Sequence, residues 1–134
     1  MRTDEVIETL RTGLAYLERE GFTLIEAKRI ESKLSDFYSI TYRSEAKRRE
    51  VGVAYFPGRN AANASIRDIE RPFNWKDAGA MYLRSPKLEE APGEGMPKLS
   101  AYLASLKDVL LGEFGGILNG AAFENDPYDW SPYK

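Results

Sequence analysis

The chain contains neither cysteine nor histidine. Without cysteine there is no disulfide, no thiolate metal ligand and no thiol nucleophile. Without histidine, imidazole acid–base catalysis, Ser-His-Asp triads and histidine-ligated zinc are excluded as well. Long apolar runs are also lacking: nothing approaches the roughly 20 residues that a membrane span needs, and "MRTDEVIETL" opens on charges instead of an apolar leader. These absences suit a cytoplasmic protein with no membrane partner. Charge of one sign is missing too, since 19 basic residues face 21 acidic ones for a net −2. So small a net charge provides no global attraction for nucleic acid. Residues 68–134 nevertheless hold 11 acids against 7 bases, which places the acidic excess late in the chain.

The 134 residues, 43% hydrophobic and 30% charged, fit one domain with one core, 1–134. In "TDEVIETLRTGLAYLEREG", Ile7, Leu10, Leu14 and Leu17 fall at helical spacing, with Thr3 as N-cap and Gly21 as stop. Short runs rich in aromatic and β-branched residues follow: "FTLIEAKRI", "DFYSITYRS", "REVGVAYFP" and "NASIRDIE". Their spacing predicts an antiparallel meander of four strands. Residues 73–84, including "GAMYLRS", read equally as a short helix or a fifth strand, and "PKLEEAPGEGMP" reads as an exposed loop. "PKLSAYLASLKDVLLGEFGGILNG" then carries Leu99, Leu103, Leu106, Leu110, Phe114 and Ile117 as one apolar stripe, with Pro97 in its first turn. Gly112, Gly115 and Gly116 imply either an early end to this helix or another backbone packed close to it. The expected fold is therefore α+β: an N-terminal helix and a long C-terminal helix on one face of a four- to five-stranded antiparallel sheet.

Three groups of residues are candidates for function. The closing "AAFENDPYDWSPYK" (121–134) sets acids among rings, and Glu124, Asp126, Tyr128, Asp129 and Trp130 are candidate contacts for a basic partner. Its aromatics also suit burial, so the tail is expected to pack back on the domain. Glu89, Glu90 and Glu94 form a second candidate surface in the Pro-rich loop. Tyr38, Tyr42, Tyr55 and Phe56 are candidates to line a concave sheet face around a small apolar ligand, against the plainer reading that such rings are core. "SEAKRRE", with Lys47, Arg48 and Arg49, reads as a solvated hairpin turn.

No catalytic, metal or cofactor site is expected. "GEFGG" and "GEG" lack the third glycine and the Lys-Ser/Thr of nucleotide loops. The pairs Glu89/Glu90 and Asp126/Asp129 lie in exposed segments with no desolvation to tune them for acid–base work.

The late helix with Leu110, Leu111, Gly112, Glu113, Phe114, Ile117 and Leu118 resembles small bacterial immunity proteins of polymorphic toxin systems. Several groups of these end that helix on LL-G-x-F-x-x-(I/L)L, although Glu113 stands where an aspartate is expected. The resemblance implies a cytoplasmic, stoichiometric inhibitor that binds a basic toxin domain as a monomer or weak dimer. A secretion chaperone of similar size, and the small-ligand protein above, are the alternatives.

Overall fold

The structure is a computed structural model that describes residues 3–69, 80–83, 85–89 and 93–121. Helix α1 (Thr3–Leu14) runs almost directly into the short α2 (Tyr16–Arg19). The chain then forms β1 (Thr23–Ile30), β2 (Phe37–Ser44), β3 (Arg49–Phe56) and β4 (Ala61–Asp68), each paired antiparallel with the next. Strand β5 (Ala80–Tyr82) pairs with β4, so the five-stranded sheet has the order β1-β2-β3-β4-β5. Short helix α3 (Pro86–Glu89), long helix α4 (Gly95–Leu111) and short helix α5 (Gly115–Leu118) complete the described chain. The architecture is α+β, as the pattern of the sequence predicts, and the ambiguity at 73–84 resolves to strand over its last described part.

Alternation decides which face of the sheet is dry. In β2 the side chains of Tyr38, Ile40, Tyr42 and Ser44 are buried, while those between them are half-buried. In β3 the buried set is Arg49, Val51, Val53 and Tyr55. Cross-strand partners share a face, so Tyr38 meets Tyr55 and Ile40 meets Val53 beneath the helices. The helices supply Val6, Leu10, Leu14 and Leu17 from α1 and α2, and Leu99, Leu103, Leu106, Val109 and Leu110 from α4, all buried. Burying a leucine of this kind contributes about 1.5–3 kcal/mol, which makes this leucine-on-tyrosine layer the main source of stability.

Local chemistry sets where the helices stop. Gly21 adopts φ +90, and Phe22 N donates to Leu17 O at 2.9 Å while Gly21 N donates to Glu18 O. That pair of bonds closes α2 as a left-handed glycine cap, the stop expected at Gly21. Thr3 lies inside α1 instead of capping it, with its hydroxyl 3.5 Å from that of Tyr38. Val6 is the fully buried residue of the first turn and Ile7 only partly buried, a small rotation from the expected stripe.

The loop expected at 86–97 is instead partly helical. Ser85 holds the start of α3, its hydroxyl accepting from Lys87 N at 3.4 Å and its carbonyl from Leu88 N at 3.0 Å, and Leu88 is buried. An apolar anchor and a serine cap outweigh the Pro and Gly content around them. Helix α4 ends early, at Leu111, because Gly112 N bonds back to Asp108 O and Phe114 N to Val109 O. The chain turns there and Phe114 drops into the core. Each apolar residue of "LLGEFGGIL" except the exposed Leu111 thus packs wholly or partly against the core.

At Gly13 α1 meets α4 with no room for a side chain. A Cβ there would lie 2.6 Å from Leu103 Cδ1 and 2.8 Å from Leu103 Cβ. Gly13→Ala gains about 1 kcal/mol of helix propensity but overpacks the crossing, which costs about 1–3 kcal/mol. Net destabilisation, seen as a lower denaturation midpoint, is expected; a more stable protein would show that the helices separate freely. Tyr16 offers the opposite case, because its buried hydroxyl has no hydrogen-bond partner and burial pushes its ionisation far above the ordinary value. Tyr16→Phe should leave stability unchanged or raise it by up to about 1 kcal/mol in the same denaturation experiment.

Candidate open-face site

The second face of the sheet carries none of the described helices, and its side chains form three zones. At one end Phe37 and Phe56 stack with centroids 5.0 Å apart, and the guanidinium of Arg59 lies 4.4 Å from the centre of the Phe56 ring. In the middle the floor is made of small residues, Ser39, Thr41, Gly52, Ala54 and Ser65, with Asn63 and Tyr82 at the side. They line a shallow depression of about 380 Å³. At the other end Arg43, Glu50 and Arg67 stand directly opposite one another on three adjacent strands.

That charged row is tightly tied. Glu50 Oε2 accepts from Arg43 Nη2 at 2.8 Å and Nε at 3.1 Å, and Glu50 Oε1 accepts from Arg67 Nε at 3.2 Å. Partial burial pushes the Glu50 carboxyl up, but the hydrogen bonds from Arg67 and Arg43 outweigh it and hold the group below its ordinary 4.5. Arg43 is raised by its hydrogen bond to Glu50 and the attached charge. Glu45 Oε1 also lies 3.7 Å from Arg43 Nη1, so two cations and two carboxylates balance one another here in a row whose geometry is fixed before any partner arrives.

A second charged group sits inside the protein. Arg49, expected in a solvated turn, is buried on the dry face at the start of β3. Its Nε donates to Ile117 O at 2.8 Å, Nη1 to Arg48 O at 3.1 Å and Nη2 to Ala121 O, while Asp68 lies 3.8 Å away. Burial pulls the guanidinium below its usual value, Asp68 works against that, and Arg48 adds to it. Arg49 therefore anchors α5 and the chain that follows to the sheet, a structural task that leaves it closed to solvent.

The residues proposed from sequence are placed as follows. Tyr38, Tyr42 and Tyr55 are core beneath α1 and α4, whereas Phe56 points to the opposite face, so the four do not line one surface. The strand period of two separates Phe56 from its neighbour Tyr55. Next to Tyr55, Leu99 and Tyr102 the remaining space is about 10 Å³, the size of one water. Glu94 is exposed at the start of α4 and makes no capping hydrogen bond; that task passes to Asn60, whose Oδ1 accepts from Gly95 N at 3.1 Å. The side chain of Glu89, the whole of Glu90, and Glu124, Asp126, Tyr128, Asp129 and Trp130 lie outside the described residues. Among the described residues no three acidic side chains come together as a metal cluster would require, and no described helix is long and apolar enough to cross a membrane.

The Arg43–Glu50–Arg67 row had a signal in the sequence: Arg43 and Glu50 are equidistant from the turn of the β2–β3 hairpin, so a tight hairpin must oppose them. No family model, no curated protein and no solved structure matches the chain.

Glu50→Gln should cost about 1–2 kcal/mol at pH 7, since two guanidiniums lose one charged acceptor. Glu50 ionises more readily in the folded protein, so this contribution is present above 4.5 and lost as the pH falls through the lower folded value. Denaturation of the wild type and Glu50→Gln across that range should therefore converge at acid pH; a constant gap would show that the charge of Glu50 does not matter.

Proposed function

We propose that this chain is a non-catalytic protein-binding domain, most specifically an immunity-type inhibitor that occupies a toxin domain. The observation that carries the reading is the open sheet face. It is broad and shallow, it is floored by small side chains that keep other atoms at the level of the strands, and it is flanked by a fixed charged row and an aromatic pair. Such relief suits the contour of a folded macromolecule better than a small molecule, for which 70% or more of the surface is normally enclosed. Small side chains on the floor also cost little entropy when they are covered.

Two further observations support a folded partner over the alternatives. The large apolar side chains exposed among the described residues are Ile25, Leu34 and Leu111, which sit on β1, in the β1–β2 connection and at the end of α4. A chaperone that grips unfolded segments needs them gathered in one groove. A small apolar ligand needs an enclosed space, and three of the four rings that were candidates to line one, Tyr38, Tyr42 and Tyr55, are packed in the core. Steering of a basic toxin is assigned, from sequence, to the acids Glu124, Asp126 and Asp129.

Affinity capture with the full chain from lysate of the source organism, followed by binding kinetics with the purified partner, tests the reading. A single folded partner is expected, bound more than tenfold more weakly by Ser65→Arg, which fills the floor of the depression without touching the core. Asp126→Ala with Asp129→Ala should slow association most at low salt. With folding confirmed by circular dichroism, a partner that binds all three proteins equally would refute the reading, as would the absence of any specific partner.

A further inference from the structure

Among the described residues, strand β1 is an edge of the sheet along its whole eight-residue length. An edge strand presents unpaired backbone N–H and C=O groups to solvent. The core is only partly closed along this margin: Leu24 and Ala27 of β1 and Ile7 of α1 are partly buried, and Ile25 is exposed. Past the irregularity between Leu24 and Glu26, the register places Glu26 and Lys28 on the open face, opposite Thr41 and Ser39, and Ala27 on the dry face, opposite Ile40. Glu26 and Lys28 lie 3.2 Å apart, each about half exposed.

These positions restrict how β1 can pair with a second β1. Residues directly opposite in an antiparallel pair share a face, so a twofold arrangement has to be centred on a residue and not between two. The irregularity after Leu24 leaves Glu26–Ile30 as the regular run of β1 in which a centre can fall. Centred on Glu26 or Lys28, each copy meets its own like charge, which is unfavourable, and centred on Arg29, two guanidiniums already tied to their own Asp36 are set against each other. A centre at Ile30, the last residue of the strand, would pair β1 with residues beyond its end. Centred on Ala27, Glu26 of each copy stands opposite Lys28 of the other, and the small Ala27 side chains meet at the axis.

We propose that β1 is a self-association edge, two copies of the chain pairing antiparallel about Ala27 with Glu26 opposite Lys28 on both sides. The two sheets then become one, the exposed Ile25 gains the aliphatic stem of Arg29 from the other copy, and this margin of the core is closed. The contact is a single short ladder, at the low end of interface size, so the association is reversible and dependent on concentration. It uses the edge of the sheet and leaves the open face free.

Sedimentation of the purified full chain over a dilution series reaching the millimolar range tests this without any other partner. A monomer–dimer equilibrium is expected. Lys28→Glu sets glutamate against glutamate at two symmetric positions and should weaken the dimer by about tenfold. Glu26→Lys should do the same through opposed lysines. The double exchange Glu26→Lys with Lys28→Glu rebuilds the complementary pairs and should restore wild-type association. Both positions exchanged lie at the surface, and circular dichroism verifies that each variant is folded. A wild type that stays monomeric throughout would overturn the proposal: its edge charges would then act only to keep β1 solitary. So would a dimer equally stable in both single variants, or one that the double exchange does not restore.

Discussion

The packing of leucines from α1 and α4 onto the tyrosines and valines of β2 and β3 is the contact on which the remainder depends. A strand presents alternate residues to opposite faces, so once this layer claims Tyr38, Ile40, Tyr42, Val51, Val53 and Tyr55, the residues between them are committed to the other side. Ser39, Thr41, Gly52 and Ala54 are where they are for that reason. Their small size means that the open face gains little from the hydrophobic effect and loses little if it stays wet. The depression there is the negative image of the core.

The chain handles charge in two distinct ways. Arg43, Glu50 and Arg67 are partly hydrated and satisfy one another across three strands, so each strand pair gains a polar tie that solvent weakens without abolishing. Arg49 has been taken out of water, and carbonyl oxygens of Arg48, Ile117 and Ala121 replace its hydration. An ion in that position adds less net energy than its bond count suggests. Its value is geometric, because a planar fork with fixed donors defines where α5 lies against β3.

Much of this was legible in the sequence, and the failures have physical causes. The two apolar stripes of leucine and the four runs of alternating residues predicted helices, strands and their order, since burial enforces a period on any element that has a dry side. Gly21 marked a helix end, and Gly112 gave an early end as one of two readings, through backbone chemistry that acts within a few residues. Arg49 gave no such signal: the two carbonyls that tie it to the end of the described chain lie about 70 residues away, and "KRRE" looks like any solvated turn. Phe56 was grouped with Tyr55 as an aromatic cluster although alternation already separated them. The tail, read as the principal acidic surface, falls outside the described residues, and the open face was not singled out because serine, glycine and alanine carry no chemical signature of their own.

The contact between Gly13 and Leu103 joins two residues about 90 positions apart in the chain. Strand pairs β1–β2, β2–β3 and β3–β4 close over short connections and have both partners at hand early in synthesis, but α1 has no α4 to lie against until that helix has been made. At roughly 5–20 residues per second that interval is about 5–20 s. For its duration Leu10 and Leu14 have only the sheet to shelter them, so the nascent chain carries an exposed helix margin that the finished protein never shows.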